Sequence, residues 1–540
     1  MGATFGRAGL GAFRLGWTVF VVAATSIPYL LNVHSTPPGS HYTWIMPPYP
    51  EDSLAYRAWS EQAAHGSLLF QMKYTALPHA PFLLHPFFLI GGWLSALTAC
   101  DIGIMHWGLK AAGVVLFFMA FFKYTDYMRV SGIQSILATV LVGVSSGFGG
   151  LLVLFGLAKR LPALPADLWV VDSNTFWSLL WNPLFPWSLT LMLIAIHRLD
   201  RGTREGRTMD LWQSGLATGA MVLIHPYSQP LLFTLAIVLT VLRRRAEAPG
   251  YLARYAIPVL PPAAYAASIA AFHPLVSRHS SHGAMQSPAL SAYILGFGLP
   301  LLLVAGGLAV ARAQLVSRHW PVILWFVLSL AFSYVPLWFQ RKFIFGAHVP
   351  LCILAGVSAD LILERFWRPP RRRWALVVAA MIGAPVLVAT PIYLLGSELK
   401  EVRANADGAY FVNEELMEGL KYLEAKTVPG SVVFATPSTS RLIPGFSGNT
   451  VVWGHWAMSV DRKAREEWFT SLFKEGSDWS DERRSGEFWG TGIDYILADG
   501  RLKGMLERSP ASWRAILADA DQVFANDSVV IYRHRERRPG

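Results

Sequence analysis

The chain has 540 residues, of which 53% are hydrophobic and only 15% charged, with a net charge of +11 and a mean hydropathy of +0.37. Soluble domains carry about 25% charged residues, so this composition excludes an ordinary water-soluble fold. The positive surplus sits in short loops between apolar runs, which argues against nucleic acid as a partner and for the loop asymmetry that orients membrane proteins.

Repeated apolar runs of about 18 residues or more read as membrane spans. A short basic N-terminus with Arg7 and Arg14 precedes the first run, 15–33. No small-x-small cleavage site follows it, so the run is expected to be retained, with the N-terminus in the cytoplasm. Residues 34–80 form a long first outer loop, too rich in Pro, Tyr and polar residues to cross a bilayer. Within it Pro47, Pro48 and Pro50 stop the chain. Glu51 and Asp52 follow, and a helical pattern begins with Leu54, Tyr56, Ala58, Trp59 and Ala63. The two acids have two readings. They suit a helix N-terminus, where unpaired amides favour negative charge, or one of them is a base held at a membrane surface. The next run, 81–97, is interrupted by His85-Pro86 and Gly91-Gly92. Counted as a span it would place Lys123, Arg129 and the later basic loops on the wrong side, so it is expected to be interfacial or re-entrant.

Further spans are expected over 106–122, 135–155, 177–196, 211–224, 231–242, 255–272, 292–310, 321–338, 345–363 and 375–395, about 11 with the first. The arginine clusters around Arg198, Arg243 and Arg371 then fall inside. Outside lie a second loop with Asp167 and Asp172, the helix break at His225-Pro226, a His-rich loop over 273–287, and the short connection Gln340, Arg341, Lys342. From residue 397 the apolar runs stop and charges multiply. Strands are expected over 431–436, 450–453, 494–498 and 528–532, and helices over 414–426, 462–474 and 510–520. The reading is a polytopic α-helical membrane protein: a transmembrane module over 1–396 and an α/β domain over 397–540, placed outside by an odd number of spans. Cys100 and Cys352, far apart, imply neither a disulfide framework nor a metal site.

Ionisable groups in or at a membrane are costly to keep and so point to function. On this topology the outer side holds Glu51, Asp52, Lys110, Asp167, Asp172, Arg341 and Lys342. Structural alternatives stand beside each. Arg341, Lys342 and Lys110 suit snorkelling cations at span ends. Asp172 or Ser173 suits the N-cap of a helix starting near Phe176. His225 suits a helix end before Pro226. Trp44, Tyr56 and Trp59 either stack on sugar faces or belong to an interfacial aromatic belt. His273, His279 and His282 match no standard zinc spacing. Trp453-Gly-His-Trp456 either lines a sugar-binding surface or forms a core turn.

Several of these features coincide in order. They are Glu51-Asp52 with Tyr56 after the first span, the Pro-flanked run 78–97, the acid-bearing loop Asp172-Ser-Asn-Thr-Phe, His-Pro-Tyr at 225–227, Gln-Arg-Lys at 340–342, and a C-terminal outer α/β domain. The layout resembles the GT-C integral-membrane glycosyltransferases over nearly the whole chain. That resemblance implies an enzyme of the bacterial inner membrane. Its donor would be a sugar on a polyprenyl phosphate, and its acceptor an extracytoplasmic glycan, lipid or protein. Carried over, Asp52 is the general base that deprotonates the acceptor hydroxyl, with Glu51 the runner-up. Arg341 grips the lipid phosphate with its planar fork, with Lys342 and Lys110 as point charges. Tyr56, Asp172 and His225 complete the substrate-binding set. Some members of the superfamily hold a divalent cation (Mg or Mn) with outer-loop acids and others do not. No Asp-x-Asp pattern occurs in the second loop, so a tight metal site is not expected and no ligand is assigned. The alternatives are a transporter or flippase, or a polymerase or ligase of lipid-linked glycans. The absence of a clear internal repeat and the charge-poor middles of the spans favour catalysis at the interface over transport.

Overall fold

The computed structural model describes residues 7–83, 85–279, 285–368, 371–405, 408–472, 480–508 and 510–536. The chain is mostly helical and divides into two compact units. One comprises Met1–Pro28, Trp107–Ser268 and Gly283–Leu399; the other comprises Tyr29–His106, Ile269–His282 and Lys400–Gly540.

Among the described residues, seven helices are long and apolar enough to cross a bilayer: Ala8–His34, Ile102–Tyr127, Pro226–Arg243, Arg245–Phe272, Leu290–Phe332, Gln340–Phe366 and Trp374–Ala404. The protein is a multi-pass membrane protein. The 43-residue stretch Leu290–Phe332 leaves helical geometry at Gly298, Ala311 and His319, so it is several helices joined through kinks and takes in two of the expected spans. Two other expected spans are broken. The stretch 135–155 divides into Gly132–Val144 and Gly149–Leu154. The stretch 177–196 divides into Thr175–Trp181 and Leu184–Glu205, interrupted at Asn182 and Pro183, where proline offers no amide to continue the ladder.

Four carboxylates on helices of the first unit are matched by arginine. Arg14 pairs with Asp126 at 2.6 Å, Arg201 with Asp210 at 2.5 Å and Arg243 with Asp200 at 2.7 Å, while Arg372 pairs with Asp360. Pairing is what makes such burial tolerable, because a lone charge there is uncompensated.

Asp167 is held differently, by neutral donors. It is fully buried. Its Oδ2 accepts from Thr390 Oγ1 at 2.7 Å, Ser146 Oγ at 3.1 Å and the Gly149 amide at 3.2 Å, yet Oδ1 has no hydrogen-bond partner. Burial raises its carboxyl from an ordinary 3.8 to about 6, against the opposing pull of those donors. A carboxyl raised in the folded state stabilises below its unfolded pKa, and that contribution is lost as pH rises towards the folded value. Stability of the purified protein is therefore expected to fall between about pH 4 and pH 6 by up to roughly 3 kcal/mol from this group. Asp167→Asn should flatten that dependence in melting curves recorded from pH 4 to pH 7.

In the second unit, Ser40–Tyr42 pairs antiparallel with Phe411–Asn413, and the Thr43 amide donates to Tyr410 O at 2.9 Å. The start of the first loop is thereby tied to the C-terminal region. That region holds a five-stranded sheet in the order Thr450–Val451, Val432–Phe434, Tyr495–Ala498, Val530–His534, Ala520–Ala525. The first three strands run parallel and the last two pair antiparallel. Phe434, Trp453, Phe488, Ile496, Trp513 and Ile516 build its core.

The helix Phe87–Thr98 has 12 residues, a rise of about 18 Å, short of the roughly 30 Å apolar layer. It packs against the helix Pro50–Ala64. Gly92 permits the close approach: a Cβ there would lie 2.2 Å from Ser60 O and 2.6 Å from Ala63 Cβ. Backbone cannot yield cheaply, so Gly92→Ala is expected to cost about 1–3 kcal/mol, read as a lowered melting temperature.

Candidate active site

Pro50 opens the helix Pro50–Ala64, with Glu51 and Asp52 in its first turn. Pro suits that position because its missing N–H has no partner there anyway. The acids lie where the helix dipole favours negative charge. The geometry at Asp52 goes further. Trp456 Nε1 donates to Asp52 Oδ1 at 3.0 Å, and His455 Nε2 lies 3.4 Å from the same oxygen. His455 Nδ1 accepts from the amides of Ala457 at 3.0 Å and Met458 at 3.1 Å. In the neutral ring the proton must then sit on Nε2, facing the carboxylate. The ring is held between Tyr74 and Trp456, at centroid distances of 5.4 and 6.0 Å. His455 is buried, while the Asp52 side chain keeps 22% of its surface exposed. A carboxylate gripped from the protein side and open on another is positioned to accept a proton from an incoming group.

The sharp turn that presents His455 depends on Gly454. Its φ of +144° is a region that residues with a Cβ rarely adopt, and a Cβ would lie 2.9 Å from the Arg441 amide.

Glu51 has a different partner. Its Oε1 lies 3.5 Å from Arg441 Nη1, and the arginine is 6% exposed. Tyr74 OH donates to Arg441 O at 3.0 Å, so one tyrosine braces both the His455 ring and the backbone of the cation facing Glu51. Behind the acids, Arg57 donates through Nη1 and Nη2 to the two oxygens of Asp101 at 3.0 and 2.6 Å and through Nε to Gly445 O at 2.9 Å. Burial by itself would raise the Asp101 carboxyl; the Arg57 guanidinium and nearby amides hold it below the usual range. This clamp fixes the helix that carries Glu51 and Asp52. Tyr56, a substrate-binding candidate, stacks on Phe88 at 4.5 Å, within an aromatic cluster with Trp59 and His85.

The remaining candidates lie in the membrane unit. Asp172 and Lys342, expected to act separately on substrate, form an ion pair at 3.2 Å, with side chains 4% and 17% exposed. Asn174 and not Asp172 or Ser173 caps the following helix, accepting from the Trp177 amide at 3.4 Å. The Arg341 guanidinium lies over the Trp169 ring at 5.2 Å, and its Nε is buried with no hydrogen-bond partner. Lys110 sits well inside Ile102–Tyr127, is 1% exposed, and donates to Thr25 O. His225 ends the helix Thr208–Ile224. Its Nδ1 is 3.1 Å from Ser228 Oγ, and its ring stacks on Phe345 at 4.2 Å.

These acids do not fit a divalent cation. Asp172 already faces an ammonium, Asp52 faces two N–H groups, and Glu51 faces a guanidinium. Among the described residues one trio of ligand side chains, Glu61, His65 and Glu424, has its atoms within 4.8 Å of one another; it includes none of Glu51, Asp52, Asp167 and Asp172. Of the three loop histidines, His273 Nε2 lies 3.0 Å from Ala80 O, while His282 and the side chain of His279 lie outside the described residues.

Sequence reasoning missed Arg441 and left His455 and Trp456 undecided. The run Trp453-Gly-His-Trp456, with a glycine where the turn needs positive φ, was the signal available.

No protein-family model matches the chain, and no curated protein matches it in sequence. Solved structures do. The apo oligosaccharyltransferase of Archaeoglobus fulgidus superposes with a TM-score of 0.52 at 11% identity, over 92% of this chain and 72% of that one. The same enzyme tethered to an acceptor peptide gives 0.51 at 12% identity, over 96% and 74%. A mutant of the arabinofuranosyltransferase AftD from Mycobacteria gives 0.50 at 13% identity, over 95% of this chain and 41% of the larger one. Identities this low speak to architecture alone, and in architecture the chain has the GT-C fold that these structures share.

Proposed function

We propose that the protein is a membrane glycosyltransferase that moves a sugar from a polyprenyl-phosphate donor to an extracytoplasmic glycan, lipid or protein, with Asp52 as general base. The observation that carries this reading is the Asp52 carboxylate, anchored by Trp456 at 3.0 Å and faced by His455 at 3.4 Å while 22% of its side chain stays exposed. In the proposed reaction an acceptor hydroxyl loses its proton to Asp52 and attacks the anomeric carbon. The bond to the lipid-phosphate oxygen breaks, and the electron pair leaves with the phosphate. Arg341 is the first candidate to bind that phosphate, because its guanidinium has no carboxylate partner within 4.0 Å among the described residues, whereas Lys342 is engaged by Asp172. The fold supports the class of reaction, since the superposed structures are an oligosaccharyltransferase and an arabinofuranosyltransferase. The proposed setting is the bacterial inner membrane, N-terminus inside, with residues 397–540 forming an extracytoplasmic domain.

The test is transfer by the purified protein in lipid, using a panel of labelled polyprenyl-phosphate sugars and a mixed acceptor extract. Release of free polyprenyl phosphate coupled to labelling of an acceptor is the expected result. Labelled donor that crosses the bilayer unchanged, with no product, would replace this reading with lipid-linked glycan transport.

A further inference from the structure

The membrane unit contains a polar cavity of about 560 Å³ that the proposed reaction does not use. It is lined where several helices end: by Arg129 just beyond Ile102–Tyr127, by Asp200 and Arg204 near the end of Leu184–Glu205, by Arg243 at the end of Gln229–Arg243, and by Arg318 and His319 at a kink of Leu290–Phe332. Its walls also include Val357 and Leu361 from the later turns of His348–Phe366, the helix whose start follows Lys342. Residues 348 and 361, both on that helix, are separated by a rise of roughly 20 Å. The cavity is therefore at the far end of that helix from the Asp172–Lys342 pair.

Four arginines and one carboxylate line it. Arg243 is satisfied, by Asp200 at 2.7 Å and Thr203 Oγ1 at 2.9 Å. Among the described residues no carboxylate lies within 4.0 Å of Arg129, Arg204 or Arg318, so the cavity keeps a net positive charge. His319 supplies a second, independent sign. It is 5% exposed, and its Nδ1 is buried without a hydrogen-bond partner. A buried polar atom left unpaired is costly unless a ligand or water satisfies it.

We infer that this cavity binds a phosphate ester anion, with an anionic lipid headgroup as the expected source. Phosphate offers several strong acceptor oxygens to convergent guanidinium forks, and basic pockets between membrane helices suit such headgroups. The shared chemistry with free phosphate makes inorganic phosphate the control.

The experiment is native mass spectrometry of the full-length protein with phosphatidylglycerol, with phosphatidylcholine and, separately, with inorganic phosphate. Phosphatidylglycerol should be retained about tenfold better than phosphatidylcholine. The pair Arg129→Gln with Arg318→Gln should abolish that preference. Ser317→Glu should do the same while leaving every arginine in place; Ser317 is an exposed cavity residue. Arg312→Gln, an exposed arginine outside the cavity lining, should leave it unchanged. Binding of inorganic phosphate alone, lost in the same variants, keeps the phosphate site and removes the lipid source. If neither probe exceeds phosphatidylcholine, or if Arg312→Gln weakens binding as much as the cavity variants, the inference is wrong.

Discussion

Asp52→Asn is expected to reduce sugar transfer by about 10²–10⁴-fold, the usual contribution of a positioned general base. The substitution is close to isosteric. The asparagine oxygen can still accept from Trp456 Nε1, which lies 3.0 Å from Asp52 Oδ1, and the His455 ring stays anchored through Nδ1 by two amides. The first turn of Pro50–Ala64 should therefore hold its place, and melting temperature should move little. What is lost is the negative charge and with it the basicity. Glu51→Gln is the comparison: its partner is Arg441 at 3.5 Å, so it should weaken an ion pair and reduce transfer far less. Turnover with a labelled donor, measured beside a melting curve for each variant, separates the two acids. An Asp52→Asn protein that transfers at the wild-type rate would move the base to Glu51.

That contrast also marks what the sequence could show. Three prolines, two acids and a 3.6-residue apolar pattern are local signals, and they announced the helix Pro50–Ala64. The partners of the acids are not local. Trp456 lies 404 positions away and reaches Asp52 only after the C-terminal region has folded around its sheet. Nothing near Arg441 or His455 in the chain points at residues 51 and 52. The same holds for Asp172 and Lys342, separated by 170 positions. Each carries a charge that reads as a substrate contact when viewed alone; the structure spends both on each other. Helix breaks were half visible. Asn182 with Pro183 is an interpretable signal, whereas the small residues between Val144 and Gly149 read as continuous apolar sequence. In the C-terminal region the strand Ala520–Ala525 has no counterpart among the expected elements, because Ala520, Asp521 and Gln522 lack the β-branched pattern and its pairing with Val530–His534 supplies the order.

The ion pair itself yields the second large effect. Lys342→Met should destabilise the membrane unit by about 3 kcal/mol, because it leaves the Asp172 carboxylate, 4% exposed, without its cation. Asp172→Asn should act in the same direction through the stranded ammonium, which also lies near the Phe185 ring at 5.8 Å. The double variant Lys342→Met with Asp172→Asn should regain most of that loss, since it removes both charges together. A double-mutant cycle of melting data measures the coupling. Transfer by the folded double variant then decides what the lysine does. If Lys342 contacts the lipid phosphate, the double variant is stable and inactive. If its role is to neutralise Asp172, the double variant transfers like wild type, and phosphate binding rests on Arg341. Arg341→Gln should lower transfer with little change in melting, because its guanidinium lies over Trp169 and, among the described residues, has no carboxylate within 4.0 Å to release. Equal stability loss in the single and double variants would mean that Asp172 and Lys342 are held by other contacts, and that their proximity stabilises neither.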